Sequence, residues 1–154
     1  MGEGCEGMPQ GTLKAVLDTS ALYPLLKEFG GRASSLLTEL MILDLTKYEL
    51  GNILWKEHRR GLLEDWEDAV EQWSKIIEEM PMHSIDPKCL RDVERIAVER
   101  DITFYDASYI YVAETRKLKL ITGDRDLLGK CGNSMPLDEF LGRPPTWNGE
   151  PAEA

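Results

Sequence analysis

The chain has 154 residues, 42% of them hydrophobic and 30% charged, enough for one globular core and short for two. Asp and Glu outnumber Lys and Arg by 28 to 18, a net charge of −10, which excludes a nucleic-acid binder working through a broad basic face, because cations that neutralise phosphate supply most nonspecific affinity. Apolar runs stop far short of the roughly 20 residues of a membrane-spanning helix, no signal-peptide pattern opens the chain, and Cys5, Cys89 and Cys131 form no CxxC pair, so the expectation is a cytoplasmic protein without a disulfide framework or structural zinc.

In chain order, residues 1–12 are glycine-rich and read as a tail. "LKAVLD" (13–18) is a first strand, followed by helices over 20–29 and 33–40 and a second strand, "MILDL" (41–45). A helix over 46–60 comes next, and then one over 63–80. In the latter Leu63, Trp66, Val70, Trp73, Ile77 and Met80 share a stripe expected to face the core or a subunit, while Glu64, Asp65, Glu67, Asp68 and Glu71 face water. "MHSI" (82–85) is the third strand, helices follow over 87–100 and 105–117, and "LKLIT" (118–122) is the fourth strand. A short helix over 125–129 and a weaker strand, "SMPL" (134–137), complete a domain over 13–141, and 142–154 reads as a second tail. Strands alternating with helices imply βαβ units, hence an α/β three-layer sandwich around a mostly parallel sheet.

Parallel sheets gather ligands beyond the carboxyl ends of their strands, and acids stand at those positions. Asp18 ends the first strand, where it can cap the following helix or serve a site. Thr46 has N-cap character with Glu49 at capping-box spacing, yet Glu49 shares a stripe with Ile53, which turns it toward the core edge, and neither Asn52 nor Ile53 offers it a cation. Leu50, Ile53, Leu54 and Trp55 are expected to form the apolar side of that helix. Asp106 opens a helix that is apolar nearly all round, so its carboxylate needs a cation, hydrogen bonds or a proton; capping and ligation are equally open to it. Asp124 follows the fourth strand as Asp18 follows the first, and Asp126 falls in the first turn of the next helix, where the helix dipole favours an anion. Clustered carboxylates repel one another, and an all-oxygen set without soft ligands points to Mg²⁺ or Mn²⁺. His58 and His83 lack a third ligand and read as surface or interface residues.

"VLDTSAL", "YELGNIL", "YDASYIYVA" and "LITGDRDL", in that order and spacing, resemble the PIN-domain ribonucleases, and among them the small VapC toxins of toxin-antitoxin operons. The resemblance covers roughly residues 13–141 and rests on four motifs in register. It implies a sheet of order 3-2-1-4-5 and a quartet of catalytic metal ligands at Asp18, Glu49, Asp106 and Asp124, with Asp126 as a further ligand candidate. Thr19, Ser20 and Thr122 match the hydroxyl residues that support such ligands. The implied activity is Mg²⁺- or Mn²⁺-dependent endoribonucleolytic hydrolysis of RNA, with a homodimer and a small antitoxin as partners. A housekeeping RNA-processing nuclease and a catalytically inactive PIN-like interaction module are the alternatives. Haloacid-dehalogenase-like phosphatases need a second Asp where Ser20 stands, and receiver domains need an early acidic pair and a late strand-end lysine that do not stand out. Arg32, Lys47, Arg59, Arg60 and Arg125 are the local cations that could touch phosphates.

Overall fold

The computed structural model describes residues 13–144; the two tails, apart from 142–144, lie outside the described residues. Five strands, β1 (Ala15–Leu17), β2 (Leu40–Leu43), β3 (Met82–His83), β4 (Lys119–Ile121) and β5 (Ser134–Met135), form one sheet of order β3-β2-β1-β4-β5. Every pairing is parallel, with Val16 opposite Met41 on one side and Leu120 on the other. The expected three-layer α/β architecture and strand order are therefore present. The strands are shorter than their apolar runs, because Asp18, Asp44 and Thr122 already belong to the turns and helices that leave the sheet.

Alternation along each strand sorts the core into two layers. Val16, Met41, Leu43 and Leu120 point to one face, where they meet α5 (Leu90–Arg100), α6 (Phe104–Arg116) and Leu127 of α7 (Arg125–Lys130). Ala15, Leu17, Leu40, Ile42 and Ile121 point to the other, against α1 (Thr19–Phe29), Leu37 of α2 (Ser34–Leu37) and Leu50 of α3 (Asp44–Arg59). Trp73, Ile76 and Ile77 of α4 (Trp66–Glu78) and residues of α8 (Leu137–Phe140) close that side. α3 touches both layers, with Leu45 packed against the first and Leu50 buried in the second.

Several elements depart from the expected bounds. The stretch 33–40 contains only a four-residue helix after a 3-10 turn at Gly30–Ala33, since Gly30 and Gly31 precede it and Leu40 is drawn into β2. Pro136 ends β5 early and caps the unexpected α8. Thr46 is not the N-cap of α3; Leu43 is, and the Thr46 hydroxyl reaches back to accept the Leu43 N–H at 3.1 Å. α4 begins at Trp66 because Asp65 caps it, accepting the Asp68 N–H at 3.0 Å. Its stripe is only partly core: Trp73 and Ile77 are half-buried, Met80 beyond the helix is buried, and Trp66 and Val70 are 46% and 43% exposed. Trp55 on α3 likewise faces out rather than in. Cys131 is a free buried thiol, whereas Cys89 is disulfide-bonded, which corrects the expectation of a chain without a disulfide.

His83 also differs from its surface reading, being 5% exposed at the end of β3. Burial, and then the Arg116 charge, hold its imidazole below the ordinary 6.5, while Asp44 pulls in the opposite direction. The folded protein therefore binds fewer protons than the unfolded chain just below that value, and stability is complete above it and declines as pH falls through it. Urea denaturation between pH 7.5 and 5.5 should show a loss in the wild type that is smaller in His83→Asn; equal slopes would remove His83 as the cause.

Candidate active site

The sheet reverses direction of growth at β1: β2 and β3 are added on one side, β4 and β5 on the other. At such a switch point the connections from neighbouring strands leave in opposite senses and a crevice opens beyond their ends. Asp18 and Thr122 are the residues that follow β1 and β4 there.

Asp18 is 4% exposed and caps α1, its Oδ1 accepting the Ala21 N–H at 3.1 Å. Ser20 Oγ donates to the same oxygen at 2.7 Å, and Thr122 Oγ1 donates to Oδ2 at 2.5 Å. The Ser20 hydroxyl in turn accepts the Gly123 N–H at 2.8 Å, and the Thr122 hydroxyl accepts the Asp124 N–H at 3.0 Å. Gly123 eases this closure, because a Cβ there would lie 3.0 Å from the Ser20 carbonyl oxygen and the backbone would have to give way. Burial pushes the Asp18 carboxyl up to about 6; the bonds from Ser20, Thr122 and Ala21 offset part of that, and the Asp106 charge adds to it. A group so placed favours a proton or a cation.

Glu49 projects from the second turn of α3 and is gripped by hydroxyls: Thr19 Oγ1 donates to Oε1 at 2.6 Å and Tyr109 Oη donates to the same oxygen at 2.8 Å. Tyr109 Oη also lies 2.8 Å from Thr46 Oγ1 and 3.2 Å from Thr19 Oγ1. The apparent capping box around Thr46 and Glu49 is thus divided, with Thr46 serving the backbone and Tyr109, and Glu49 serving the site edge. Tyr109 is the residue that sequence reasoning missed, since its spacing in an apolar helix made it look like core. Its signal was a hydroxyl three residues after Asp106, on the same helical stripe.

Asp106 does not cap α6; Thr103 does, accepting the Asp106 N–H at 3.1 Å. That leaves its half-buried carboxylate free of capping duty. Burial raises it first, then the charge of Asp124, and Glu49 adds to the effect. Asp124 caps α7, its Oδ1 accepting the Asp126 N–H at 2.9 Å. Asp126 itself is exposed in the first turn. The fold therefore brings Asp18, Glu49, Asp106 and Asp124 to one edge, where Asp106 feels the charges of the other two aspartates and of Glu49. As the side chains stand, no group of three or more His, Cys, Asp or Glu among the described residues is drawn together tightly enough to hold a metal ion. The donor set nonetheless suits a hard divalent ion, being all oxygen, mutually repelling and partly desolvated. Beside Ser20 and Thr122 a cavity of about 1030 Å³ opens between α1, α7 and α8, bounded by Pro24, Leu137 and Arg143.

This fold, a parallel five-stranded sheet with acids beyond its switch point, is a three-layer α/β domain, and comparison with known proteins gives the family. The PIN domain family model matches residues 15–132. The chain belongs to the PIN-domain family. It is 42% identical over 128 residues to Exonuclease VapC9 of Pyrobaculum aerophilum, covering 83% of this chain and 93% of that one. Ribonuclease VapC3 of the same organism is 38% identical over 125 residues, covering 77% and 95%. Among solved structures, PAE2754 from Pyrobaculum aerophilum superposes with a TM-score of 0.76 at 41% identity, covering 84% of this chain and 95% of that one. A toxin-antitoxin complex from Klebsiella pneumoniae shares the fold with a TM-score of 0.58 at 15% identity, covering 80% and 98%. Among the described residues no helix is long and apolar enough to cross a membrane.

Replacing Thr122 by the isosteric Val removes a buried donor to a carboxylate and should cost about 2 kcal/mol of stability at neutral pH. Ser20→Ala should cost less, because Ser20 is exposed and water can replace it. Denaturant titration of both variants checks the order; Ser20→Ala as the more damaging change would overturn it.

Proposed function

We propose that this protein is a divalent-metal-dependent endoribonuclease and the toxin of a VapBC-type pair. The observation that carries the reading is the gathering of Asp18, Glu49, Asp106 and Asp124 at the switch point of a PIN fold, with Asp18 buried and its carboxyl raised by that burial. Relatives at 42% and 38% identity bear the names of an exonuclease and a ribonuclease, which supports phosphodiester hydrolysis.

Asp18, Asp106 and Asp124 would hold Mg²⁺ or Mn²⁺, with Glu49 as fourth ligand and Asp126 as an outlying candidate. When bound, the ion supplies Lewis acidity toward both the attacking water and the phosphodiester. Ser20 and Thr122 hold the Asp18 carboxylate in place, so that its rotamer is set before an ion arrives. Thr19 and Tyr109 fix one oxygen of Glu49 and leave the other to accept a proton or orient water. Neither histidine stands among these groups, so the carboxylates carry the proton traffic of the reaction. A cytoplasmic homodimer inhibited by a small antitoxin completes the reading; the Klebsiella neighbour, a toxin-antitoxin complex, shares the fold on which such an assembly is built.

RNA cleavage in Mn²⁺ should fall at least 100-fold in Asp18→Asn and Asp106→Asn and stop with chelator. Equal activity in wild type and both variants would sink the assignment. Tyr109→Phe should lower kcat, because Glu49 then keeps only Thr19 as a donor. A circular RNA distinguishes the two modes that the relatives' names suggest: linearisation supports an endonuclease, and resistance alongside degradation of linear RNA makes it an exonuclease. Induced expression in a bacterial host should arrest growth, and Asp18→Asn should relieve the arrest.

A further inference from the structure

The exposed side of α3 has no role in the site described above, and its composition is unusual for an acidic protein. Tyr48, Asn52, Trp55 and Arg59 recur at i, i+4, i+7 and i+11 and so form one stripe along the helix. Tyr48 is 67% and Trp55 54% exposed, although neither has a polar end that needs so much water. Each ring carries a cation over its face: Lys47 Nζ is 5.1 Å from the Tyr48 centroid and the Arg59 guanidinium is 5.0 Å from that of Trp55. Lys56 is exposed on the same side. The acid of this region, Glu57, is turned away and accepts a hydrogen bond from Tyr23 of α1. What remains on the outer face is therefore aromatic and basic, on a chain whose net charge is −10.

Aromatic faces alternating with cations bind single-stranded nucleic acid, because every base has a π-face to stack and every linkage a phosphate to neutralise. The stripe also begins beside the site. Tyr48 adjoins Glu49 in sequence, and Trp55 stands seven residues beyond Tyr48, about 10 Å along the axis. We propose that the outer face of α3 is the track on which single-stranded RNA approaches the carboxylates, with Tyr48 and Trp55 stacking two bases and Lys47, Lys56 and Arg59 meeting the phosphates. The proposal rests on the nuclease reading for the purpose of the track, but binding to it does not require cleavage. A protein partner suits this stripe less well, since cations cover its rings; the apolar exposure without such cover lies at Leu62, Trp66 and Val70.

The test uses the full chain carrying Asp106→Asn, in which cutting is expected to be lost, and a fluorescein-labelled single-stranded RNA of mixed sequence followed by anisotropy. Trp55→Ala and Tyr48→Ala should each weaken binding about tenfold, and Trp55→Phe should restore most of it. Arg59→Gln should make the slope of log affinity against log salt shallower by about 1. In the cleaving protein, the alanine variants should raise KM about tenfold for a long strand, leave kcat unchanged and leave a trinucleotide substrate unaffected. Unchanged RNA affinity in both alanine variants overturns the proposal. So does a change of oligomeric state by light scattering without a change in RNA affinity, which makes the face a contact between copies. Loss of the nuclease reading has a different signature, because wild type would then fail to cut in Mn²⁺ while the anisotropy arm still measured the track.

Discussion

The bond between Thr122 and Asp18 joins the two halves of this molecule. It ties the end of β1 to the residue after β4 across the sheet's reversal point, and it does so at a carboxylate that is almost completely buried. Burying a carboxylate is costly unless hydrogen bonds meet it, so the surrounding donors are part of the fold as well as of the site. Ser20 and Ala21 meet one oxygen and Thr122 the other, and the same hydroxyls then accept the N–H groups of Gly123 and Asp124. The turn that presents Asp124 is consequently fixed by the group that supports Asp18. Two of the proposed ligands are set by one small network, with residues separated by about a hundred positions brought together by strand pairing.

Local pattern in the sequence encodes the order of the elements. Short apolar runs bounded by turn residues located all five strands, and the all-round burial of α6 followed from its unbroken Ala, Tyr, Ile and Val content. Asp18 as a cap was legible because an acid between a strand and a helix is a capping signal, borne out by its bond from the Ala21 N–H. Element boundaries failed where long-range contacts decided them. α4 starts at Trp66, capped by Asp65, rather than near Leu63, and the Trp66 and Val70 face that looked like core is largely exposed, with a His58 ring edge against Trp66. Tyr109 was invisible for the opposite reason: a tyrosine at core spacing shows its ring in the pattern, while its hydroxyl acts through Thr19, Thr46 and Glu49, on elements that periodicity cannot bring together. The disposition of Asp106 was undecidable from sequence, since Thr103 is an equally good cap and its choice is what frees the aspartate.

α3 concentrates several demands in one helix. Its buried face supplies Leu50 and Leu54, its first turns supply Thr46 and Glu49, and its outer face carries the exposed rings with their cations. These assignments are compatible because a helix presents successive positions to different directions, so Tyr48 and Glu49, adjacent in sequence, point about 100° apart. Tyr23 makes the division cleaner by withdrawing Glu57 from the outer face. An acidic chain can in this way offer a strand of phosphates a locally basic path while its net charge remains −10.

Asp18 and Glu49 take their hydrogen bonds from neutral donors, and this has a chemical consequence. A guanidinium or ammonium in the place of Thr122 or Thr19 would stabilise the apo protein better, since bonds to charged groups are stronger when both partners are ionised. It would also cancel the charge on which the proposed cation binding depends and fill the space that the proposed ion would enter. Hydroxyls orient the carboxylates and leave their negative charge uncompensated, so that burial and mutual repulsion persist at Asp18 and Asp106. The unrelieved repulsion makes a divalent cation the group that stabilises this edge most. It also makes the edge vulnerable to a competitor of the same sign, so a basic side chain presented by another protein would satisfy the carboxylates and block the site in one step.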